Sequence, residues 1–589
     1  MEPFADVIVD LHQRGALRSL LEVDANLLNT AIALGEEWLG ANSAILKCLR
    51  LGVALHHGAL PTAYRKEVER LLRDSVLKVT ISSPTLAQGL NLSATAGIMH
   101  SLHRKGERIE ISEFKNVIGR AGRAYIDVEG LVLFPMFDDI PKKRCNWEKL
   151  VTDLGAREME SGLVRLVAAL LTRMRARIGG DFAQLVEYVV NNAAAWTFPE
   201  IANEKPEDRE RALVEWERHV ATLDTAILSL IGEDDVPDDG IEAALDDILQ
   251  SSLWQRRLLR KNDGVQQVLK AGLLSRSRLI WTQSTAARRR GYFLAGVGLT
   301  TGHALDAIAA EANDLLIAAN GALLIGDAEA AITGLAEHVF GFYPFMPDPS
   351  PDNWRAILRA WLLGERLAAI AVGQESETLQ FMEGGLVYRL PWAMEAVRVR
   401  AAANGDTIPS FGMALDDHEF GLAVPAVETG TMNRSASILI QAGFNSRLAA
   451  IKAVTDTGAT FTTGPELRQW LNSDGIAAWT ALPDWPTVET KAMWTEFTAS
   501  FTPRENRTWA DRRYWAGVAW SGAPPPPGTL VQLHEWNGQR LVVAADGTPL
   551  GALQHAINPL RRGLMRASVS AEAGKVDLSY PREVGRGLF

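Results

Sequence analysis

The chain is long, acidic and poor in cysteine. Its 589 residues are 47% hydrophobic and 22% charged, which excludes a disordered or fibrous protein and predicts roughly three to five domains. Lys and Arg number 60 against 71 Asp and Glu, a net charge of −11. This argues against a passive nucleic-acid coat but is compatible with a local basic groove. With only Cys48 and Cys145, no secretory signal and no membrane-length apolar run, we expect a cytoplasmic protein without disulfides or a membrane partner.

Apolar patterning divides the chain into four zones. The first alternates short apolar runs, near 53–55, 77–81 and 131–134, with an amphipathic helix at 63–73, which is typical of a parallel α/β sheet. In the last zone Trp and Thr become frequent, and strand-like segments follow a proline run. The predicted domains are an α/β domain over 1–140, helical domains over 145–293 and 294–475, and a small β-rich domain over 476–589.

The strongest chemical signal is the motif NVIGRAGR at 116–123. Arg120 and Arg123 stand three residues apart, accompanied by Asn116 and Gly119. Planar guanidinium groups held at a short spacing can contact phosphate oxygens in pairs and stabilise the charge on a transferring phosphoryl group. Taken alone, the motif is also compatible with a glycine-containing loop that carries two solvated arginines.

A second loop follows a predicted strand about thirty residues earlier. In the segment SSPTLAQGLNLSA, at 82–94, the hydroxyls of Ser83 and Thr85 come first, and Gly89 and Asn91 follow beyond a turn. Hydroxyl and backbone N–H groups at the carboxyl end of a strand bind ligands in open α/β sheets. They can also hold a sugar–phosphate backbone without reading bases.

A third loop, GVALHHGALP at 52–61, also follows an apolar strand. His57 with Gly58 offers a further phosphate contact, whereas His56 is explained about equally well as a packed histidine at a turn.

These three segments, in this order, resemble the second RecA-like domain of DEAD/DEAH-type superfamily-two helicases, and most of all their Ski-like branch. The resemblance implies an incomplete RecA-like α/β domain, then winged-helix and ratchet-like helical domains. It implies that Arg120 and Arg123 act as arginine fingers on ATP, together with Asn116 and Gly119. It further implies that Thr85, Ser83, His57 and Gly58 contact the nucleic-acid backbone, and that Gly89 and Asn91 couple ATP to the strand. Ser83 replaces the usual Thr but keeps the hydroxyl. The family places a strand-separating hairpin where this chain has a short segment at 102–108.

Two motifs of such helicases are missing from the sequence. There is no GxxxxGK[ST] phosphate loop and no DExH or DExD after an apolar strand. We therefore expect ATP and Mg²⁺ to be shared with an upstream polypeptide or subunit that carries the first RecA-like domain, and the chain alone to be inactive. A non-catalytic nucleic-acid-binding scaffold is the alternative. A nuclease is disfavoured, because paired carboxylates and metal-ligand clusters are not evident.

Basic and aromatic residues later in the chain suggest further strand contacts. The resemblance to a ratchet bundle makes Arg355 and Arg359, with Arg366, candidates for contacting a single strand of DNA or RNA, although a solvated helix face explains them too. Arg447 and Lys452 lie in a helix–turn–helix-like segment and are weaker candidates. A basic stretch comprises Arg256, Arg257, Arg260, Lys261, Arg276, Arg278 and 288–290. We interpret each cluster singly as solvated and their combination as a winged-helix surface. Packing in the core explains Trp254 and Trp281 better than stacking on nucleic-acid bases does.

Overall fold

A computed structural model divides the chain into two compact units, Met1–Phe497 and Thr498–Phe589. It describes the chain except for residues 1, 59, 84–93, 105–106, 110, 120, 123–129, 153–160, 180, 192–195, 202–203, 324–325, 367–374, 407–421, 502–507, 537–538, 556–565 and 585–589.

The first unit begins with mixed α and β structure. Its elements are α1 (Glu2–Gln13), a short 3-10 helix (Ala25–Leu28), α2 (Asn29–Leu39), α3 (Ala44–Arg50), β1 (Val53–His56), α4 (Thr62–Arg73), β2 (Val79–Ser82), β3 (Ala96–Ile98), β4 (His103–Arg104), β5 (Glu107–Arg108), α5 (Ile111–Ile118) and β6 (Leu131–Leu133). Strands β1 and β2 pair in parallel, as do β3 and β6. Strands β4 and β5 form a small antiparallel hairpin inside the segment where the resemblance places a strand-separating hairpin.

Helix α4 shows how local pattern produces this packing. Its apolar residues Tyr64, Val68 and Leu71 recur at helical spacing and are buried, which places them on one face of the helix. That face packs in the same core cluster as the fully buried strand β1, from Val53 to Leu55. A second small cluster, which includes Phe114 and Leu150, lies around α5.

The rest of the first unit is helical. Its elements are α6 (Ile140–Thr152), α7 (Gly162–Ile178), α8 (Phe182–Asn191), α9 (Pro206–Ile231), α10 (Ile241–Gln250), α11 (Leu253–Leu258), α12 (Asp263–Gln283), α13 (Ala286–Ala295), α14 (Leu299–Ala307), α15 (Ala309–Leu323), α16 (Glu329–Val339), α17 (Trp354–Leu362), α18 (Glu375–Phe381), a π-helix (Met382–Arg389), α19 (Leu390–Asn404), α20 (Ala423–Thr429), α21 (Arg434–Gln441), α22 (Arg447–Thr457), α23 (Gly464–Leu471), α24 (Asp474–Ala481) and α25 (Lys491–Phe501).

A large apolar core runs through these helices. It extends from Val164 to Val427 and includes Trp254 and Trp281, which therefore serve as core residues. The π-helix, which contributes Met382 and Leu386 to this core, ends two residues before Pro391. Proline has no N–H and its ring clashes with the carbonyl four residues earlier, here that of Val387. Widening the helix to i→i+5 hydrogen bonds over Met382–Arg389 accommodates that clash.

The second unit contains a closed six-stranded barrel. Its strands are β7 (Thr508–Trp520), β8 (Leu530–Trp536), β9 (Gln539–Val543), β10 (Pro549–Leu553), β11 (Arg566–Val569) and β12 (Lys575–Val584). The order around the barrel is β10, β7, β12, β11, β8, β9, and every neighbouring pair is antiparallel. Closure leaves no unpaired strand edge among these six strands.

The β structure starts later than the composition indicates. Residues 474–481 and 491–501, inside the zone described from sequence as β-rich, form α24 and α25. Trp494 and Phe497 are three residues apart and pack on Phe444, so the aromatic residues here follow a helical spacing. Among the described helices, none combines the length and apolar character needed to span a membrane.

Candidate functional site

The carboxyl ends of β1 and β2 lie side by side. The two strands run in register from Val53 opposite Val79 to His56 opposite Ser82. The Ser83 N–H then donates to the His56 carbonyl over 3.2 Å. Two of the three predicted loops, those of His57 with Gly58 and of Ser83, thus begin at the same edge of a parallel sheet, where such sheets bind ligands.

His57 is neutral at this edge. Its side chain is half-buried, and burial lowers its pKa to about 4, helped by the positive charge of Arg65. The Nε2 atom is buried and has no hydrogen-bond partner among the described residues. An uncharged imidazole can exchange a hydrogen bond with a phosphate or sugar oxygen, but it cannot supply a full positive charge.

His56 has a structural role. It is buried, and its Nε2 lies 2.8 Å from Oε1 of Glu69 on α4. This contact joins the end of β1 to the helix that follows it. It agrees with the interpretation of His56 as a packed histidine.

The start of α4 is held by the helical bundle. The Thr62 N–H donates to Glu383 Oε1 over 2.6 Å, and Thr62 Oγ1 lies 3.3 Å from Oε2. Arg65 donates to Thr62 Oγ1 over 2.9 Å and to the Gly58 carbonyl over 3.4 Å. Glu383 from the π-helix therefore positions the loop that carries His57 and Gly58.

The segment that carries the NVIGRAGR motif is described in part. Asn116 and Gly119 lie at the C-terminal end of α5, and both are exposed. Beyond them, Gly122 donates its N–H to the Ala94 carbonyl over 2.7 Å, and Ala94 forms a parallel bridge with Ala121. The end of the SSPTLAQGLNLSA segment therefore contacts the end of the NVIGRAGR segment.

Two glycines allow the backbone of these segments to approach so closely. Gly122 has φ +91°, a left-handed conformation that strains other residues. A Cβ on Gly130 would lie 2.1 Å from the Ala121 carbonyl oxygen. The backbone conformation and close packing of this segment therefore require glycine at these positions, whether or not they contact a nucleotide.

Five of the predicted site residues, Arg120, Arg123, Thr85, Gly89 and Asn91, lie outside the described residues. Their roles stay predictions.

Arg355 and Arg359 lie on α17, and both pair with acids of α16. Arg355 Nε is 2.6 Å from Glu337 Oε1, and Arg359 Nε is 3.6 Å from Glu329 Oε2. Their side chains are 57% and 63% exposed, so exposed guanidinium edges remain accessible to a phosphate. The Arg355 guanidinium also lies over the Trp354 ring, 4.6 Å from its centroid.

Three arginines that we considered for strand contacts are instead buried structural groups. Arg276 makes a bidentate pair with Asp224 on α9, with donor–acceptor distances of 2.5 and 2.7 Å. Arg289 donates to the Ser284 carbonyl over 2.6 Å and lies over Trp281. Because a buried guanidinium needs acceptors for its N–H groups, the interior supplies them. For these two, the winged-helix surface interpretation was wrong.

Arg447 is the third. Its Nη1 donates to the carbonyls of Trp361 and Gly430, each over 3.0 Å, and its guanidinium lies 4.6 Å from the Trp361 ring centroid. Burial lowers the pKa of Arg447 to about 10. The expectation that it contacts phosphate was wrong. Lys452 pairs with Asp456 over 2.6 Å.

Metal ligands are not assembled in the described part of the chain, where no group of three or more His, Cys, Asp or Glu side chains could hold an ion.

No family model matches the chain. Curated proteins match it over short segments, and these matches relate it to DNA helicases of superfamily two.

The similar proteins include the Hachiman protein HamB of Bacillus cereus, 32% identical over 117 residues, a match covering 20% of this chain and 10% of that protein. The ATP-dependent DNA helicase Hel308 of Aeropyrum pernix is 42% identical over 83 residues, covering 13% of this chain and 11% of the helicase. The Hel308 of Methanococcus vannielii is 37% identical over 105 residues, covering 17% and 14%. The chain thus spans about a tenth to a seventh of the length of these three relatives.

Proposed function

We propose that this chain is the strand-gripping part of an ATP-dependent DNA helicase or translocase, built around a second RecA-like domain of Ski-like type. The observation that carries the proposal is the placing of His57, Gly58 and Ser83 at one edge of the parallel β1–β2 pair. The similarity to DNA helicases named ATP-dependent supports it.

The grip acts on the backbone of the strand. A neutral His57, the hydroxyls of Ser83 and Thr85 and the exposed backbone of Gly58 form hydrogen bonds to phosphate and sugar oxygens rather than to base edges. Such contacts are independent of sequence, as a translocating motor requires. The ratchet-like bundle adds Arg355 and Arg359, whose charge draws the strand along α17.

The chain's own residues do not fit a complete site for ATP with Mg²⁺. The sequence has no GxxxxGK[ST] motif, and the described residues assemble no metal-ligand cluster. We infer that a second polypeptide or segment with a first RecA-like domain holds the nucleotide and its ion. This chain contributes Arg120 and Arg123, which neutralise charge on the phosphates.

DNA-stimulated ATPase activity tests this proposal. The chain is assayed alone and then mixed with the polypeptide encoded upstream of it that carries a GxxxxGK[ST] motif. We expect activity only in the mixture, and its loss by about 10³-fold or more in Arg123→Ala, as for removal of an arginine finger. Arg73→Ala, which changes an exposed arginine at the end of α4, is the matched control and retains activity.

A scaffold without turnover is the second candidate, favoured by the missing phosphate loop in the sequence. Strand binding without ATPase activity in the mixture would establish the scaffold and refute the motor.

A further inference from the structure

The second unit differs in charge from the rest of the chain. Thr498–Phe589 contains 11 Lys and Arg against 7 Asp and Glu, whereas the first 497 residues contain 49 against 64. A basic module in an acidic protein is the electrostatic pattern expected of a local nucleic-acid contact.

The barrel interior is apolar and filled by its own side chains. Ala516 and Val518 of β7 and Val576 and Leu578 of β12 are buried in one cluster with Val531, Val542, Leu553, Ala567 and Val569. Because side chains alternate along a strand, the residues between them point outward. Ligand contacts of this barrel therefore fall on its outer surface.

Four adjacent strands, β7, β12, β11 and β8, run half-way round the barrel and carry aromatic and basic side chains on their outer surface. The strand register places Trp515, Asp577, Ser568 and Leu530 in one row across them. Lys575 Nζ lies 4.0 Å from the Trp515 ring centroid. Exposed Arg566 precedes Ser568 on β11, and Trp536 ends β8.

The exposure of the two tryptophans needs an explanation. Trp515 is 63% exposed and Trp536 is 68% exposed, and Leu530 adds a further exposed apolar side chain. Indole rings held beside cations on a basic sheet can stack on bases, and the cations can pair with phosphates. In a duplex the base faces are already stacked, so only an unpaired strand offers them.

We propose that single-stranded DNA runs round the outer surface of β7, β12, β11 and β8, with bases stacked on Trp515 and Trp536 near the two ends of this path and with Lys575 and Arg566 on the phosphates. This site goes beyond the proposed function, which concerns the loops and helices of the first unit. Two carboxylates oppose the binding: Asp577, in the same row as Trp515, and Glu572, which pairs with Lys575.

Fluorescence anisotropy of a labelled oligothymidylate with the full chain, without ATP, tests the site. Trp515→Leu and Trp536→Leu each weaken binding about ten-fold, since stacking is lost while apolar area is kept. The Phe variants at both positions stay within about two-fold of wild type, because they keep an aromatic face. Asp577→Asn strengthens binding by about two-fold or more, and Arg566→Gln lowers its salt dependence.

Two controls separate this site from the first unit. Tyr388→Leu, which removes a comparably exposed ring from the π-helix, leaves binding unchanged. Arg73→Ala, an exposed arginine outside both proposed sites, also leaves ATP-independent binding unchanged. The binding assay contains no ATP, so a failed ATPase proposal would not imitate a failed barrel proposal. Wild-type affinity in both Leu variants would overturn the site and assign the face to a protein partner. An equal loss in the Phe and Leu variants, or no binding by the wild type, would overturn it as well.

Discussion

Glu383 caps helix α4 at Thr62, a residue 321 positions earlier in the chain. Pro61 at the N-cap position has no side-chain acceptor for the first-turn amides of this helix. The Glu383 carboxylate accepts the Thr62 N–H instead. As an anion at a helix N-terminus, it also interacts favourably with the helix dipole. The same contact joins the strand-end loop to the helical bundle, so a displacement of one would be passed to the other.

Removing this cap loosens the loop. In Glu383→Ala we expect the free energy of unfolding to fall by about 1–2 kcal/mol, because the Thr62 N–H is left without its acceptor. Thermal denaturation and amide exchange of the first turn of α4 measure the effect. Glu311→Ala, an exposed acid on α15, is the control and leaves both unchanged. Unchanged exchange at Thr62 in Glu383→Ala would refute the capping role.

Glu37 predicts a dependence of stability on pH. Ser446 and the Arg447 N–H donate to its carboxylate, yet burial raises the pKa of Glu37 to about 7 from an ordinary value of 4.5. A raised carboxyl pKa means that the folded state holds the proton more tightly. The stabilisation is present below pH 4.5 and is lost as pH rises to 7, on the order of 3 kcal/mol.

Melting temperature as a function of pH checks this sign. Wild type becomes less stable between pH 4.5 and 7, and Glu37→Gln, which cannot titrate, loses that slope. A slope that persists in Glu37→Gln would assign the titration to another group.

The Arg276–Asp224 pair predicts a contrast between two neighbouring arginines. The two side chains are only 5% and 0% exposed, so Arg276→Ala leaves Asp224 buried without its partner and costs about 3–5 kcal/mol. Arg278→Ala removes a 57% exposed arginine, 3.7 Å from Glu242, and costs no more than about 0.5 kcal/mol. Thermal denaturation compares them. Asp224→Asn combined with Arg276→Met regains part of the loss, whereas equal effects of the two single alanine variants would contradict a buried pair.

The sequence indicated the local elements but not the partners of the buried charges. Apolar runs located strands β1, β2 and β6 to within two or three residues. Burial explains this only for β1, which is buried throughout, whereas β2 and β6 leave Val79 and Leu131 exposed. The pairing of Arg276 with Asp224 spans 52 positions, and the contact between Ser446 and Glu37 spans 409. Nothing in the local pattern distinguishes these residues from solvated ones, so a basic stretch that suggested one surface contains both exposed and interior arginines.

The same reasoning applies to the candidate site. The sequence predicted that the loops of His57 and Ser83 each follow an apolar strand, and parallel pairing of β1 with β2 brings these two loops to one edge. The capping of that edge by Glu383 was not foreseen, since a single Glu in a helical segment carries no signal of its distant partner. The neutrality of His57 was also unforeseen, because it depends on burial that only the packed structure defines.

Arg355 and Arg359 test whether α17 contacts the strand. Both are exposed and each pairs with an acid on α16, so their removal costs little stability. If they contact phosphates, Arg355→Gln and Arg359→Gln each weaken binding of an oligothymidylate and reduce the logarithmic salt slope by about 0.7. Glu337→Gln and Glu329→Gln free the same arginines from their competing carboxylates and therefore strengthen binding. Arg144→Gln, which changes an exposed arginine paired with Glu148 on α6, is the matched control. If none of the four α16 and α17 variants changes the affinity for the oligothymidylate, the exposed face of α17 is solvated and the strand passes elsewhere.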